Sequence, residues 1–336
     1  MIRIGILGAS GYTARELLRL LLRHPEAEVC ALTTRQEGSP HVGDVHPALR
    51  GRLNLSLESL SAGSLAERCD FVFSCLPHAA SAGTVSQLLD AGLKVVDFSA
   101  DYRLTDAAVY EQWYKVEHPD KPRLGAAPYG LPELFREAIR AAPLVANPGC
   151  YPTAAILGLA PLLKAGVVSP GGIVIDAKSG VTGAGRTAKP HLHFPECNEG
   201  VSPYGVGSHR HTPEIDQVLS ACCGSQTEVV FTPHLIPMDR GELITAYAEP
   251  AAGTTTKNLL DTLRASYRDE PFVRVLEDIP GTKGVAHTNY CDVSARVVRG
   301  KAVVVAAIDN LIKGASGAAV QNFNVMQGFD ETTALD

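Results

Sequence analysis

The chain has 336 residues, too many for one small core and suited to two domains of ordinary size. Hydrophobic residues make up 45% and charged residues 20%, a globular composition, and the net charge of −6 comes with no block of Lys or Arg, so no nucleic-acid partner is expected. The apolar runs, such as KAVVVAAIDNLI, are far shorter than the roughly 20 residues that span a bilayer, so no membrane partner is expected either.

In chain order, IRIGIL reads as a strand, GASG as a tight turn, and Ala14 to Arg23 as a leucine-rich helix stopped by Pro25. EVCALTT is a second strand. This is the opening of a doubly wound sheet. The glycine pattern Gly8-x-x-Gly11-x-x-Ala14 allows the turn, the approach of a pyrophosphate and the packing of helix on strand, and the helix start offers N–H groups to phosphate. Cofactor contacts are expected from Gly8, Ser10, Gly11, Tyr12 and Thr13. An NAD site usually has a carboxylate after the second strand. Here Thr33-Thr34-Arg35 stands instead, so Thr34 and Arg35 favour the 2′-phosphate of NADP, with a solvated surface charge as the plain alternative for Arg35. CDFVFSCLP and LKVVDFSADYRL are further strands. The loops at their carboxyl ends, Pro77-His78 and Ser99 to Arg103, are placed to meet cofactor or substrate.

Then comes NPGCYPT, between the strand of APLVA and a helix over AAILGLAPLLKAG. Cys150 falls at the helix start, where the dipole and amides favour a thiolate and stabilise an oxyanion. A nucleophilic Cys beside NADP points to a carbonyl or activated acyl group held on sulfur, with hydride passing to or from the nicotinamide. The alternative is a buried structural thiol. No C-x-x-C pair and no export signal is evident, so the eight cysteines indicate a reducing cytoplasm, and Cys30, Cys69, Cys75 and Cys291 read as small buried apolar residues.

After Cys150 the strands GGIVIDA, TEVVFTPHL, ELITAYAEP, YCDVSARVVRG and KAVVVAAIDN are separated by turn signals, several with strict alternation. AKSGVTGAGRTAKP is a Gly- and Lys/Arg-rich loop, from which Ser179 and Gly180 are candidates for phosphate or the nicotinamide edge. PAAGTTTKN is expected to be a surface loop. GSHRHTPEI carries His209 and His211, either able to shuttle a proton, and Glu214. No stretch has a zinc spacing, and no metal is expected. GASGAAVQNFNVMQG reads as a helix returning to the first domain.

GASGYTARELL, DFSADYRL, YGLPEL, NPGCYPT, SGVTGAGR, GSHRHTPEI, FTPHLIPMDRGEL and AIDNLIKGASGAAVQNFN occur in an order and spacing that resemble the N-acetyl-gamma-glutamyl-phosphate reductases of arginine biosynthesis. Ala14 stands where that family often has Gly, and the fingerprint tolerates Ala there. The resemblance implies an α/β fold: a Rossmann-type dinucleotide-binding domain plus an α+β catalytic domain with a mixed sheet, as in semialdehyde dehydrogenases and glyceraldehyde-3-phosphate dehydrogenase. The expected division is a discontinuous NADP-binding domain, 1–149 and 314–336, and a catalytic and oligomerisation domain, 150–313. Cys150 matches the nucleophile. The acid/base comes from the HRH segment, His209 before His211, and Asn310 and Gly314 match positions near the nicotinamide. Substrate contacts are expected from Arg103, Asn147, Tyr204, Arg210 and Glu214. The implied reaction is NADPH-dependent reduction of N-acetyl-L-gamma-glutamyl phosphate, through a Cys thioester, by a homodimer or homotetramer. Two alternatives stand beside it: a sister reductase of an aminoadipyl or carrier-protein-linked acyl phosphate, and a cofactor-binding sensor that has lost catalysis.

Overall fold

A computed structural model describes residues 1–336. The chain divides into two compact units, Met1–Pro148 with Ala315–Asp336, and Gly149–Gly314.

The first unit is built on six parallel strands: β1 (Ile2–Leu7), β2 (Ala27–Thr33), β3 (Leu57–Glu58), β4 (Phe71–Ser74), β5 (Lys94–Asp97) and β6 (Leu144–Ala146), in the order β3-β2-β1-β4-β5-β6. The order reverses between β1 and β4, so the crevice at the carboxyl end of β1 is the switch point where such sheets hold ligands. The helix Tyr12–Leu21 buries Ala14, Leu17, Leu18 and Leu21, one face at helical spacing. It begins two residues before the leucine pattern, because Gly11 is already extended and serves as its cap. The helix Gly317–Gln327 is buried over most of its length and returns to this sheet, with the Phe323 ring 4.8 Å from that of Phe71.

The second unit holds a seven-stranded mixed sheet: β7 (Ile173–Gly180), β8 (Ser202–Pro203), β9 (Val229–Ile236), β10 (Glu242–Ala248), β11 (Val273–Val275), β12 (Cys291–Val298) and β13 (Lys301–Ile308), in the order β11-β12-β13-β10-β7-β9-β8. β7 runs parallel to β9 and antiparallel to β10. The central helix Cys150–Lys164 is buried on every side from Tyr151 to Leu163, which is why its sequence lacks an amphipathic stripe. It packs on β10, β12 and β13, and the helices Thr212–Cys223 and Thr256–Ser266 flank it. In β10 the buried residues Glu242, Ile244, Ala246 and Ala248 face the helices, while Tyr247, Val174 of β7 and Val230 of β9 are exposed on the other face.

Two segments differ from the sequence reading. β7 continues through Ser179 and Gly180, because pairing with β10 reaches Ser179 and pairing with β9 reaches Gly180, extending the ladder into the glycine-rich stretch. The PAAGTTTKN loop ends at Thr255, which forms a capping box with Asn258 and starts a helix inside it.

Candidate active site

In the first unit the glycine turn is shaped by its backbone. Gly8 has φ +69°, and a Cβ there would meet the Cys75 carbonyl oxygen at 2.8 Å, so no other residue fits without strain. Ala9 N–H donates to Thr33 O at 2.9 Å, and His46 Nε2 lies 2.7 Å from Ala9 O. No side chain caps the helix that starts after Gly11, and a Cβ on Gly11 would meet nothing closer than Thr13 Oγ1 at 3.9 Å. That cradle fits a pyrophosphate: uncapped amides beside open space where a side chain would stand. Thr34 is buried and Arg35 exposed at the end of β2. Asp101 is fully buried and accepts from the N–H groups of Ala79, Ser81 and Ala82, which fixes the loop after Pro77.

In the second unit Cys150 is the first residue of its helix, half-buried, with Gly149 as an extended cap and no side-chain cap. Gly149 N–H donates to Glu214 Oε1 at 2.8 Å, and Glu214 is buried. A Cβ on Gly314 would stand 2.7 Å from Cys150 Cβ, so the absence of a side chain at 314 is what lets that backbone pass the thiol.

The histidines gather around the same helix start. The His209 ring lies 5.8 Å from that of Tyr151, 5.3 Å from Tyr204 and 4.8 Å from His211. His209 Nδ1 accepts the backbone N–H of His211 at 3.2 Å, which assigns the proton of the neutral ring to Nε2. Burial, helped by the Arg210 charge, pushes the His209 pKa down to about 4, so the ring is neutral near pH 7. Tyr204 donates its hydroxyl hydrogen to Tyr151 Oη at 3.1 Å, and burial pushes the Tyr151 phenol up. Arg210 is exposed.

Other residues named from the sequence are placed differently. Arg103 is buried and donates to the carbonyls of Asn147 and Phe98, at 2.7 Å each. Asn147 donates through Nδ2 to Ala315 O at 3.0 Å and accepts on Oδ1 from Asn322 at 3.1 Å. Asn310, also buried, accepts from Gly241 N–H and donates to Thr182 Oγ1. Ser179 is buried, with its Oγ donating to Gly180 O.

Two residues beside the thiol were not among the sequence candidates. Tyr151 follows Cys150 in the helix and accepts from the Tyr204 hydroxyl. Glu242, fully buried on the inner face of β10, lies beside the Cys150 thiol; burial pushes its carboxyl up to about 8, with the thiol acting to lower it and Asp309 to raise it. The signal was present: in ELITAYA the alternation puts the glutamate in phase with Ile244 and Ala246.

Residues 3–142 match the family described as "Semialdehyde dehydrogenase, NAD binding domain", and residues 150–310 match "Semialdehyde dehydrogenase, dimerisation domain". Among curated proteins, the chain is 49% identical over 339 residues to an N-acetyl-gamma-glutamyl-phosphate reductase of Rhodopirellula baltica, covering 99% of this chain and 98% of the relative. It is 52% identical over 341 residues to one of Geotalea daltonii, covering 100% and 98%. Among solved structures it resembles aspartate semialdehyde dehydrogenase II of Vibrio cholerae, with a TM-score of 0.74 at 15% identity, covering 98% of each chain. The NADP complex of the Candida albicans enzyme gives a TM-score of 0.72 at 17% identity, covering 97% and 98%. These last two likenesses carry the fold. A full-length identity near one half, with the thiol helix and the glycine cradle in place, shows that the chain belongs to the N-acetyl-gamma-glutamyl-phosphate reductases, nicotinamide-dependent oxidoreductases of the semialdehyde dehydrogenase type.

Proposed function

We propose that the chain reduces N-acetyl-L-gamma-glutamyl phosphate to N-acetyl-L-glutamate 5-semialdehyde and phosphate, with NADPH, through a thioester on Cys150. The observation that carries the covalent route is the half-buried thiol on the first residue of an uncapped helix. The N-terminal end of that helix favours the thiolate and lowers the cost of an oxyanion on the acyl carbon. Sulfur attacks the acyl carbon and phosphate leaves with the electron pair of the C–O bond. When bound, NADPH supplies the hydride that takes the thioester to the aldehyde level. The neutral His209 ring, held by the His211 amide, offers Nε2–H to the substrate oxygen. His211 stands next to it as the second candidate. Glu214 positions Gly149 rather than touching the reacting atoms. Tyr204 and Arg210 are placed by this reading on the substrate, with Arg210 facing its anionic groups.

Gly8, Ser10, Gly11, Tyr12 and Thr13 hold the pyrophosphate end of the cofactor, and Thr34 and Arg35 select NADP. Support comes from the exposed Arg35, which with Thr34 follows β2 directly where a carboxylate would stand for NAD. The uncovered face of the mixed sheet, with Val174, Val230 and Tyr247 exposed, suits a second copy of the chain, and the assembly is a homodimer or homotetramer. The eight free thiols fit the cytoplasm.

The test is the reverse assay: N-acetylglutamate semialdehyde, phosphate and NADP, followed by NADPH absorbance, beside Cys150→Ser. Phosphate-dependent NADPH formation that vanishes in the variant, with an acyl adduct on the Cys150 peptide by mass spectrometry, is expected. Turnover by Cys150→Ser would sink the covalent route. Faster turnover of aminoadipate semialdehyde would move the substrate to the longer homologue.

A further inference from the structure

The scheme above leaves one buried acid unused. Glu242 opens β10 on the side that faces the helices, opposite Ser179 on β7 and Ile308 on β13. It is fully buried, and neither carboxyl oxygen has a hydrogen-bond partner of regular geometry. Such a group is expensive to keep in either form: ionised it is an unpaired buried charge, and protonated it leaves buried polar atoms without partners, at about 1–3 kcal/mol. A carboxyl retained in that state needs a reason. The Cys150 thiol is beside it.

The surrounding groups narrow what the acid does. From the central helix, the Cys150 thiol interacts with it, and its charge is felt at the Tyr151 hydroxyl and at the Tyr204 hydroxyl of the segment after β8. From the turn after β13, Asp309 lies near enough to oppose its ionisation. Asp309 is itself committed: it pairs with Arg240 at 3.2 Å and accepts from the N–H groups of His287, Leu311 and Ile312. Asp309 is therefore held by its own partners, and the thiol is the group with which Glu242 can exchange a proton.

We propose that Glu242 is a catalytic proton partner of Cys150, taking the thiol proton as sulfur attacks and returning it as the aldehyde leaves. This rests on the reading of Cys150 as nucleophile. The steps balance. The S–H bond breaks and its proton forms a carboxylic acid on Glu242. Sulfur bonds the acyl carbon, and the carbon–oxygen bond to phosphate breaks with its electron pair going to phosphate. After the acyl carbon has gained hydride, the carbon–sulfur bond breaks, sulfur keeps the pair, and the Glu242 proton returns to it. The two transfers cancel, so the proton consumed overall comes from solvent and ends on phosphate.

The proton affinities agree with this division of labour. The Glu242 carboxyl, near 8, lies in the range of thiols, so its ionised form can take a thiol proton and its acid form can return one. His209, near 4, is a poor acceptor for a thiol proton and is already oriented through Nδ1. Sulfur and oxygen of the reacting carbonyl are thus served by different groups.

The experiment uses the full chain with Glu242→Gln, Glu242→Asp and Cys150→Ser. Alkylation of Cys150 by iodoacetamide, read on its peptide by mass, is followed against pH without substrate or cofactor, and kcat and KM are measured separately. Because thiol and carboxyl interact, the wild-type alkylation profile should rise in two steps and the Gln profile in one. Loss of the proton partner should lower kcat by about 100-fold or more while KM stays within about threefold. Asp should restore the two-step profile and part of kcat. A Gln variant with the wild-type alkylation profile, or with kcat within about threefold of wild type, overturns the proposal. Should Gln fail to fold, a single-step profile in Asp with wild-type kcat does the same. Activity in Cys150→Ser would instead remove the nucleophile reading, and this proposal with it, whereas failure of Glu242 alone leaves the thioester route intact.

Discussion

The backbone N–H of Gly149 is held by Glu214 Oε1 at 2.8 Å, so a carboxylate from the helix Thr212–Cys223 fixes the residue before the thiol. The contact links the HRH segment to the nucleophile turn, because Glu214 lies three residues after His211. Glu214→Ala leaves a buried N–H unpaired, a cost of about 1–3 kcal/mol. Thermal unfolding should show a drop of about 2–10 °C, and Glu214→Gln, which keeps an acceptor oxygen, should recover most of it. Equal losses in the two variants would mean that the hydrogen bond is not what matters there.

Gly314→Ala tests the close approach of the helix-entry backbone to the thiol. The new methyl would start 2.7 Å from Cys150 Cβ, nearer than real carbon contacts allow, so the thiol or the 309–316 turn must shift. A 1 Å misplacement of a reacting group costs about 100-fold, so kcat should fall by at least about tenfold with far-UV circular dichroism unchanged. Full activity would show that the turn yields freely.

Arg35→Ser removes the charge that the proposed function sets against a 2′-phosphate, an exposed guanidinium just after β2. A lost charge-assisted hydrogen bond is worth about 1.5–3 kcal/mol, so KM for NADPH should rise by roughly tenfold or more while that for NADH barely moves. Fluorescence titration with both cofactors decides it, and parallel changes would place selectivity elsewhere.

Two groups with shifted protonation act on stability with opposite signs. Glu242 rises in the fold from 4.5 to about 8, so between those values the folded chain holds more protons than the unfolded one, and stability falls as pH rises. His209 drops from 6.5 to about 4, so the folded chain holds fewer protons there, and stability is lost as pH falls from 6.5. Above 6.5 only the Glu242 effect of this pair remains. Melting temperatures of wild type and Glu242→Gln should therefore diverge between pH 6.5 and 8, with the variant gaining. Parallel curves would mean that Glu242 is already ionised in the fold.

The first half of the fold was legible because its strands and glycine turn are local signals: IRIGIL, GASG and the 3.6-residue leucine spacing lie within one stretch of chain. The Cys150 helix start was legible for the same reason, from Gly149 and Pro152. What brings Glu242 and Tyr204 to that helix is strand pairing between segments far apart in sequence, β10 with β7 and β8 with β9, and no local pattern reports it. Arg103 and Asn147 show the converse. Their residue types suggested ligand contact, yet both are buried and bonded to backbone or amide groups within the first unit.

Asn147 donates to Ala315 O at 3.0 Å, so the chain leaves the first unit after Pro148 and rejoins it at Ala315 through two points tied to each other by one amide. Everything between them is a single uninterrupted stretch of chain, and it holds the thiol, both histidines of the HRH segment, Glu214 and Glu242. Segments whose ends meet are the ones that tolerate transplantation. Residues 149–314 accordingly form a segment that could be exchanged whole between relatives, carrying the thiol, the histidines and both acids while leaving the glycine turn to the recipient.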